Sequence, residues 1–216
     1  MKNLLKMSDL SPAELTHILD VADQLKAQQK LGGTAPLLAG KTVQFASDWP
    51  IAGSPPAGLA EDAAAPELAL TLCPAGDALH LVPRIGVLGV GCRRGTGADT
   101  LAEAFAAFCA QAGFAPQCIA AAASIDLKQN EAGLLAFCQS RGWPVEFFTA
   151  EQLRQAPGSF TPSAFVQSVT GVDNICERAA VLAAGGPLVF HKFARTGVTF
   201  ALAARPFAPD WRWQHV

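Results

Sequence analysis

The stretch Ile85-Gly86-Val87-Leu88-Gly89-Val90-Gly91-Cys92-Arg93-Arg94-Gly95-Thr96 decides the fold. Residues 85–90 read as a buried β-strand with a β-branched bias, and the glycines that follow mark a tight turn. Thr96 is placed to cap a helix whose Leu101, Phe105, Phe108 and Ala112 recur on one face, with Gly113 closing it. Strand, glycine turn and amphipathic helix in that order open an α/β domain.

Downstream the alternation continues. Residues 118–123 read as a second strand, although four alanines weaken its propensity. A helix through Leu134, Leu135 and Cys138 ends at Gly142, residues 145–148 give a third strand, and 150–155 give a short helix. A helix over 174–184 then precedes strands at 188–190 and 198–203. Those last strands follow each other without a helix, so the sheet is expected to be mixed. The fold class is α/β: a mixed sheet flanked by helices, with a short N-terminal helix and strand as an appendage.

Upstream, the boundary falls near Val82-Pro83. Residues 68–72 read as a short strand. Residues 47–66 carry four prolines and an alanine-rich tract, and read as loop. A strand over 42–46 precedes them. Ser11-Pro12-Ala13-Glu14 forms a capping box with proline at the first helical position, and Leu15, Ile18, Leu19, Ala22 and Leu25 follow at helical spacing until Gly32-Gly33. The expected division is 1–46, an N-terminal helix–strand segment; 47–83, a linker; and 84–216, the main domain.

Composition sets the broad class. Half of the 216 residues are hydrophobic and 16% are charged, which supplies a core and excludes a disordered chain. A formal charge of −2 gives no field to hold nucleic acid or anionic lipid, so any cationic site is local. No window reaches the roughly 18 uninterrupted apolar residues of a membrane helix, and the apolar run of the opening residues is too short for a secretory signal. The chain is expected to be cytoplasmic. Its six cysteines are widely spaced without a CxxC pair, which reads as free thiols and no metal site.

The chemistry gathers at the glycine turn. A strand end opening a helix presents backbone donors to an anion, and Arg93 and Arg94 add forked donors suited to carboxylate or phosphate. The spacing is G-x-G-x-x-x-G, one residue longer than a dinucleotide fingerprint, and no acidic residue follows about 20 residues on, so NAD binding is rejected and no cofactor is expected. Two adjacent arginines are unnecessary for a mere turn, which favours the anion site. Gly40-Lys41-Thr42 imitates a phosphate loop, but Ala35 stands where that loop needs glycine.

A second constellation is Ser124-Ile125-Asp126-Leu127-Lys128-Gln129-Asn130-Glu131, at the end of the second strand. Asp126, Lys128 and Glu131 read either as a polar rim with a general base or as caps and surface charge. Glu177, three residues after Asn174, reads as the second half of a capping box. Lys192 reads as lying between two strands, in a solvated turn or as a cation aimed at an acidic ligand.

These segments carry a resemblance. The glycine turn 89–96, Ser124 to Lys128 with Glu131, Gly171-Val172 with Glu177, and Lys192 with Gly197-Val198-Thr199 occur in the order of the C-terminal domain of the CbiG/CobE family. Phe45 to Gly53 and Leu79 to Arg84 are similar to the central region of longer CbiG proteins. The resemblance implies a role in building the corrin ring, on a cobalt-precorrin fringed with acetate and propionate groups. Longer members open the δ-lactone of cobalt-precorrin 5A and release acetaldehyde; the alternative it implies is a non-catalytic corrinoid carrier of the CobE type. The expected substrate-binding residues are Gly89, Gly91, Cys92, Arg93, Arg94, Gly95, Thr96, Ser124, Lys128, Lys192 and Thr199, with Asp126 and Glu131 as the catalytic carboxylates. The expected partners are the tetrapyrrole and other corrin-pathway enzymes. Lys2 to Lys41 resembles the opening segment of ornithine carbamoyltransferases, but Ala46-Ser47-Asp48-Trp49 replaces the carbamoyl-phosphate loop, so no transcarbamoylase chemistry follows.

Overall fold

The computed structural model describes residues 42–212 together with 13, 16, 19–21 and 23. Those last six positions are helical. The rest of the expected N-terminal helix, with its capping box, its Gly32-Gly33 stop and the carbamoyltransferase-like segment up to Lys41, lies outside the described residues. Among the described residues no helix is long and apolar enough to cross a membrane.

Two sheets organise the chain. The first is parallel, in the order β2-β1-β3-β4, and contains β1 (Val43–Ser47), β2 (Leu59–Glu61), β3 (Leu68–Leu70) and β4 (Leu79–Leu81). Loop was expected over 47–66, yet Leu59–Glu61 pairs with Val43, Gln44 and Phe45. A three-residue strand has no readable period, so its neighbour defines it. The same holds for β4, which the sequence did not reveal. The sheet crosses the expected division at 46/47, because β1 runs to Ser47.

The C-terminal tail straps this small sheet to the rest of the chain. Ala52 N–H donates to the Pro209 carbonyl and Trp211 N–H donates to the Ala52 carbonyl, both at 2.9 Å. Trp211 meets Phe45 edge-on with centroids 5.0 Å apart, and Phe207 meets Trp49 at 5.2 Å.

The second sheet is mixed, in the order β7-β6-β5-β9-β8. It contains β5 (Gly86–Cys92), β6 (Ile119–Ile125), β7 (Val145–Phe148), β8 (Leu188–Arg195) and β9 (Val198–Ala204). β5 pairs in parallel with β6 and antiparallel with β9, and the helix-free connection makes β8 and β9 antiparallel to each other, so the sheet is mixed. Among the described residues five α-helices accompany it: α1 (Ala98–Ala112), α2 (Ala132–Gln139), α3 (Ala150–Arg154), α4 (Ala164–Thr170) and α5 (Cys176–Ala184). α4 was not foreseen. This is the α/β class expected, with helices on both sheet faces.

Alternation along β5 shows why it is central. Leu88 and Val90 face α1, where Leu101, Phe105 and Phe108 form a helical stripe that packs with Phe137, Phe200 and Leu202. Val87 faces α5, against Ala179, Ala180 and Ala203. Each of these large side chains contributes about 1.5–3 kcal/mol by burial. α5 comes close because its inner face is alanine and because Gly89 has no side chain: a Cβ there would overlap the Cys176 carbonyl. That close approach places the start of α5 beside the carboxyl end of β5.

Candidate functional site

The carboxyl ends of β5 and β6 open into a cleft of about 620 Å³. Sheet edges of this kind are where ligands sit in open α/β folds. Gly91, Cys92, Ile125, Val198 and Thr199 lie along the strand ends that form it. Cys176 and Ile175 add the start of α5, and α4 supplies Val166, Val169 and Thr170. The cationic lining consists of Arg93, Arg94, Lys128 and Lys192, around otherwise mostly apolar walls.

The arginines are set by two turns that clasp one another. After β5 the chain reverses through Arg93 to Thr96, with Gly95 at φ 74° and the Thr96 N–H donating to the Arg93 carbonyl at 3.3 Å. The Thr96 hydroxyl donates to the same carbonyl at 2.8 Å, so it does not cap α1 as expected; Gly97 occupies the cap without a side-chain bond. Arg93 N–H donates to the Gly197 carbonyl at 3.1 Å, tying this turn to the β8–β9 hairpin. The Arg93 side chain crosses Gly197 so closely that a Cβ there would sit 2.9 Å from Arg93 Cδ.

Lys128 and Glu131 stand on the neighbouring loop. Glu131 Oε2 accepts from the Gly95 N–H at 2.9 Å, and Oε1 accepts from Lys128 Nζ at 3.1 Å. The Gly95 N–H, and then Lys128, hold the Glu131 carboxyl below its usual range. Glu131 does not line the cleft, and neither does Asp126, although Asp126 lies between the lining residues Ile125 and Leu127. Ser124 is fully buried and donates to the Val90 carbonyl at 2.7 Å, bridging β6 to β5 beneath the site. Gly89, Gly95 and Thr96 likewise shape the turn and floor without lining the opening.

Lys192 lies within β8, not between strands as expected, and the reversal is Thr196-Gly197. Glu177 forms only one half of its expected capping box, its N–H donating to Asn174 Oδ1 at 2.9 Å. In a capping box its carboxylate would accept the Asn174 backbone N–H. Instead it accepts from Asn174 Nδ2 at 2.7 Å, from the Thr161 N–H at 2.6 Å and hydroxyl at 2.9 Å, and from the Lys192 N–H at 2.7 Å.

The cleft thiols are not activated. Burial raises the Cys92 thiol, with Lys128 opposing and Glu131 adding to the rise. Burial pushes Cys176 up to about 12. A thiolate nucleophile needs the opposite shift.

The structure therefore brings Gly91, Cys92, Arg93, Arg94, Lys128, Lys192 and Thr199 to one opening. The sequence reading did not include the α4 wall or Asn174. The available signal was Ser163, whose side chain accepts from the Val166 N–H, with Gly171 closing the helix at φ 72°.

An α/β domain whose sheet edge opens as an apolar cleft with a cationic rim is the class this geometry defines. Residues 86–203 match the family described as cobalamin synthesis G C-terminus, over more than half of the chain, and the chain belongs to that family. Over 122 residues it is 35% identical to the cobalt-precorrin-5A hydrolase of Salmonella typhimurium, covering 56% of this chain and 35% of that protein. It thus spans about a third of that relative's length. It is 34% identical over 120 residues to the protein CobE of Sinorhizobium sp, covering 54% of this chain and 78% of that one. The crystal structure of a CobE from the cobalamin biosynthetic pathway superposes with a TM-score of 0.53 at 31% identity, over 57% of this chain and 92% of that one.

Proposed function

We propose that the domain formed by residues 84–216 binds a corrin-ring intermediate of the cobalt-precorrin type in this cleft, and acts on it as a hydrolase of the precorrin-5A kind. The observation that carries the reading is the pairing of apolar walls with Arg93, Arg94, Lys128 and Lys192. A macrocycle fringed with acetate and propionate groups needs both, an apolar surface for the ring and donors for its carboxylates. Family membership supports the same reading.

In this reading water adds to the lactone carbonyl and the ring C–O bond breaks, leaving a carboxylate and an alkoxide; the alkoxide becomes a carbonyl as the C–C bond to the macrocycle breaks, so the two-carbon fragment leaves as acetaldehyde and the macrocycle keeps the electron pair and takes up a proton. A guanidinium of Arg93 or Arg94 stabilises the oxyanion as it forms. The base in this reading is Asp126, which adjoins the lining residues Ile125 and Leu127 in the chain without itself lining the cleft, while Glu131 holds the turn.

A carrier role is the second reading, and one observation favours it. Among the described residues the only carboxylate lining the cleft is Asp173, which accepts from Arg178 Nε at 2.8 Å. Anaerobic incubation with cobalt-precorrin 5A separates the two: product mass with free aldehyde supports the hydrolase, and bound, unchanged substrate supports the carrier. Absence of binding sinks both.

A further inference from the structure

We infer that Glu177 is a positioning residue for the cationic rim of the cleft, acting through Lys192. The inference rests on the functional reading above, and concerns how that site is held. Glu177 has no exposed surface, yet it bears a carboxylate. Taking a charge out of water is unfavourable unless donors surround it, and apolar packing serves a purely structural contact at least as well. The donors here come from separate parts of the fold: Thr161 before α4, Asn174 before α5, and Lys192 on β8. Both carboxylate oxygens are engaged. Thr161 Oγ1 and the Lys192 N–H reach Oε1, while the Thr161 N–H and Asn174 Nδ2 reach Oε2. An amide offers one acceptor oxygen in place of two and turns an NH₂ toward a donor.

The strand itself shows why Lys192 needs such a hold. On β8, Phe190 pairs with Leu202 and Phe193 with Phe200, so His191 and Lys192 together stand opposite one residue of β9. This is a β-bulge, a device that redirects a side chain. Phe190 and Phe193 both pack against Phe108, although they stand three positions apart along the strand. Of the two residues between them, Lys192 lines the cleft instead. The Lys192 N–H donates to Glu177 at 2.7 Å, which fixes the bulge at the point where its side chain diverges. Asn174, which also lines the cleft, is held by the same carboxylate. Glu177 therefore places one cation and one amide of the site without reaching the ligand.

The test uses the full chain and uroporphyrin, a macrocycle fringed with acetate and propionate groups, titrated by absorbance. K192Q is expected to weaken binding about tenfold, the loss of one charge-assisted contact. E177Q should weaken it by a similar factor, and the E177Q/K192Q double variant should lose clearly less than the product of the two single losses. In the R93Q/R94Q background, E177Q should still exact its full loss, because it acts through a different cation. Should E177Q not fold, as judged by thermal melting, E177D carries the same comparison; it keeps the charge and withdraws it from the Lys192 N–H. Losses at Glu177 and Lys192 that multiply would overturn the inference, since a general loosening of the fold behaves in that way. Failure of the wild-type chain to bind the porphyrin, or indifference to K192Q, would count against the functional reading instead.

Discussion

The Glu131 carboxylate accepts the backbone N–H of Gly95 at 2.9 Å, so the loop after β6 holds the glycine turn after β5. This bond depresses the Glu131 pKa below 4.5. A depressed carboxyl contributes stability that is fully present above its unfolded range and is lost as pH falls through the folded value. At pH 7, E131Q is expected to cost about 1 kcal/mol, or about 2–4 °C in melting temperature for a chain of this size. Below pH 4.5 the difference between wild type and variant should close. Melting curves collected from pH 7 to 3 check this, and a gap that persists unchanged at pH 3 contradicts it.

The arginines that follow β5 are exposed, and no carboxylate pairs with either within salt-bridge distance among the described residues. Replacing both with glutamine should leave the melting temperature nearly unchanged. Tetrapyrrole affinity should fall roughly ten- to a hundredfold, at about 1.5–3 kcal/mol for a charge-assisted contact. Equal affinity in absorbance titrations of R93Q/R94Q and wild type would move the site elsewhere.

The hairpin that meets Arg93 carries its own strain. Arg195 pairs with Val198, so Thr196-Gly197 is a two-residue turn, with φ 51° and 77°. A turn with both residues at positive φ favours Asn-Gly, and a β-branched residue is poorly suited to its first position. T196N should stabilise the chain by about 1 kcal/mol, a rise of about 2–4 °C. G197A should act in the opposite direction on two counts, a disfavoured φ and a Cβ set 2.9 Å from Arg93 Cδ. Calorimetry of the two variants tests the assignment of the turn.

Alkaline pH probes the core. Burial pushes the thiols of Cys109, Cys118, Cys138 and Cys176 up to about 12. A raised thiol pKa contributes stability present below the unfolded value of 9.0 and lost as pH rises toward the folded value. The fully buried Cys118, Cys138 and Cys176 add most of the fall in that window, and the half-buried Cys109 adds less. Denaturant midpoints should therefore fall steeply between pH 9 and 12, and the C118A/C138A variant should show a shallower fall. Parallel curves for variant and wild type would argue against neutral buried thiols.

The sequence disclosed the main sheet better than the site. β7 lies where it was expected, at Val145–Phe148, and β5 runs two residues beyond the expected end. Both are bounded by glycine, proline or a helix signal that reads locally. α4 escaped because Val166, Val169 and Thr170 dilute its helical propensity, leaving a serine cap and a closing glycine as its signals. Within the site, Arg93, Arg94, Lys128 and Lys192 were legible as cations near a strand end. The apolar walls were not, since Ile125, Val166 and Val198 become neighbours only through tertiary folding. Glu177 shows the limit of motif reading: Asn-x-x-Glu spacing suits a capping box, but the carboxylate turns toward Thr161 and Lys192.

The cleft remains open on its outer side, and this bears on catalysis. Leu127 and Val169 line it and are each 65% exposed. Large ligands are commonly held where two surfaces meet, which adds contact and excludes water from the reacting bond. The matched stretch covers 35% of the Salmonella typhimurium hydrolase, so most of that protein lies outside the correspondence. We expect this chain to bind the tetrapyrrole alone, with lactone opening slow or absent until a second surface covers Leu127 and Val169. Single-turnover incubation with cobalt-precorrin 5A, following aldehyde, should show fast release only when the part of the hydrolase outside the match is added as a separate protein. In its presence L127S should weaken the stimulation by more than it weakens tetrapyrrole binding. Rapid aldehyde release by this chain alone would defeat the expectation and place the whole apparatus between the carboxyl ends of β5 and β6 and the start of α5.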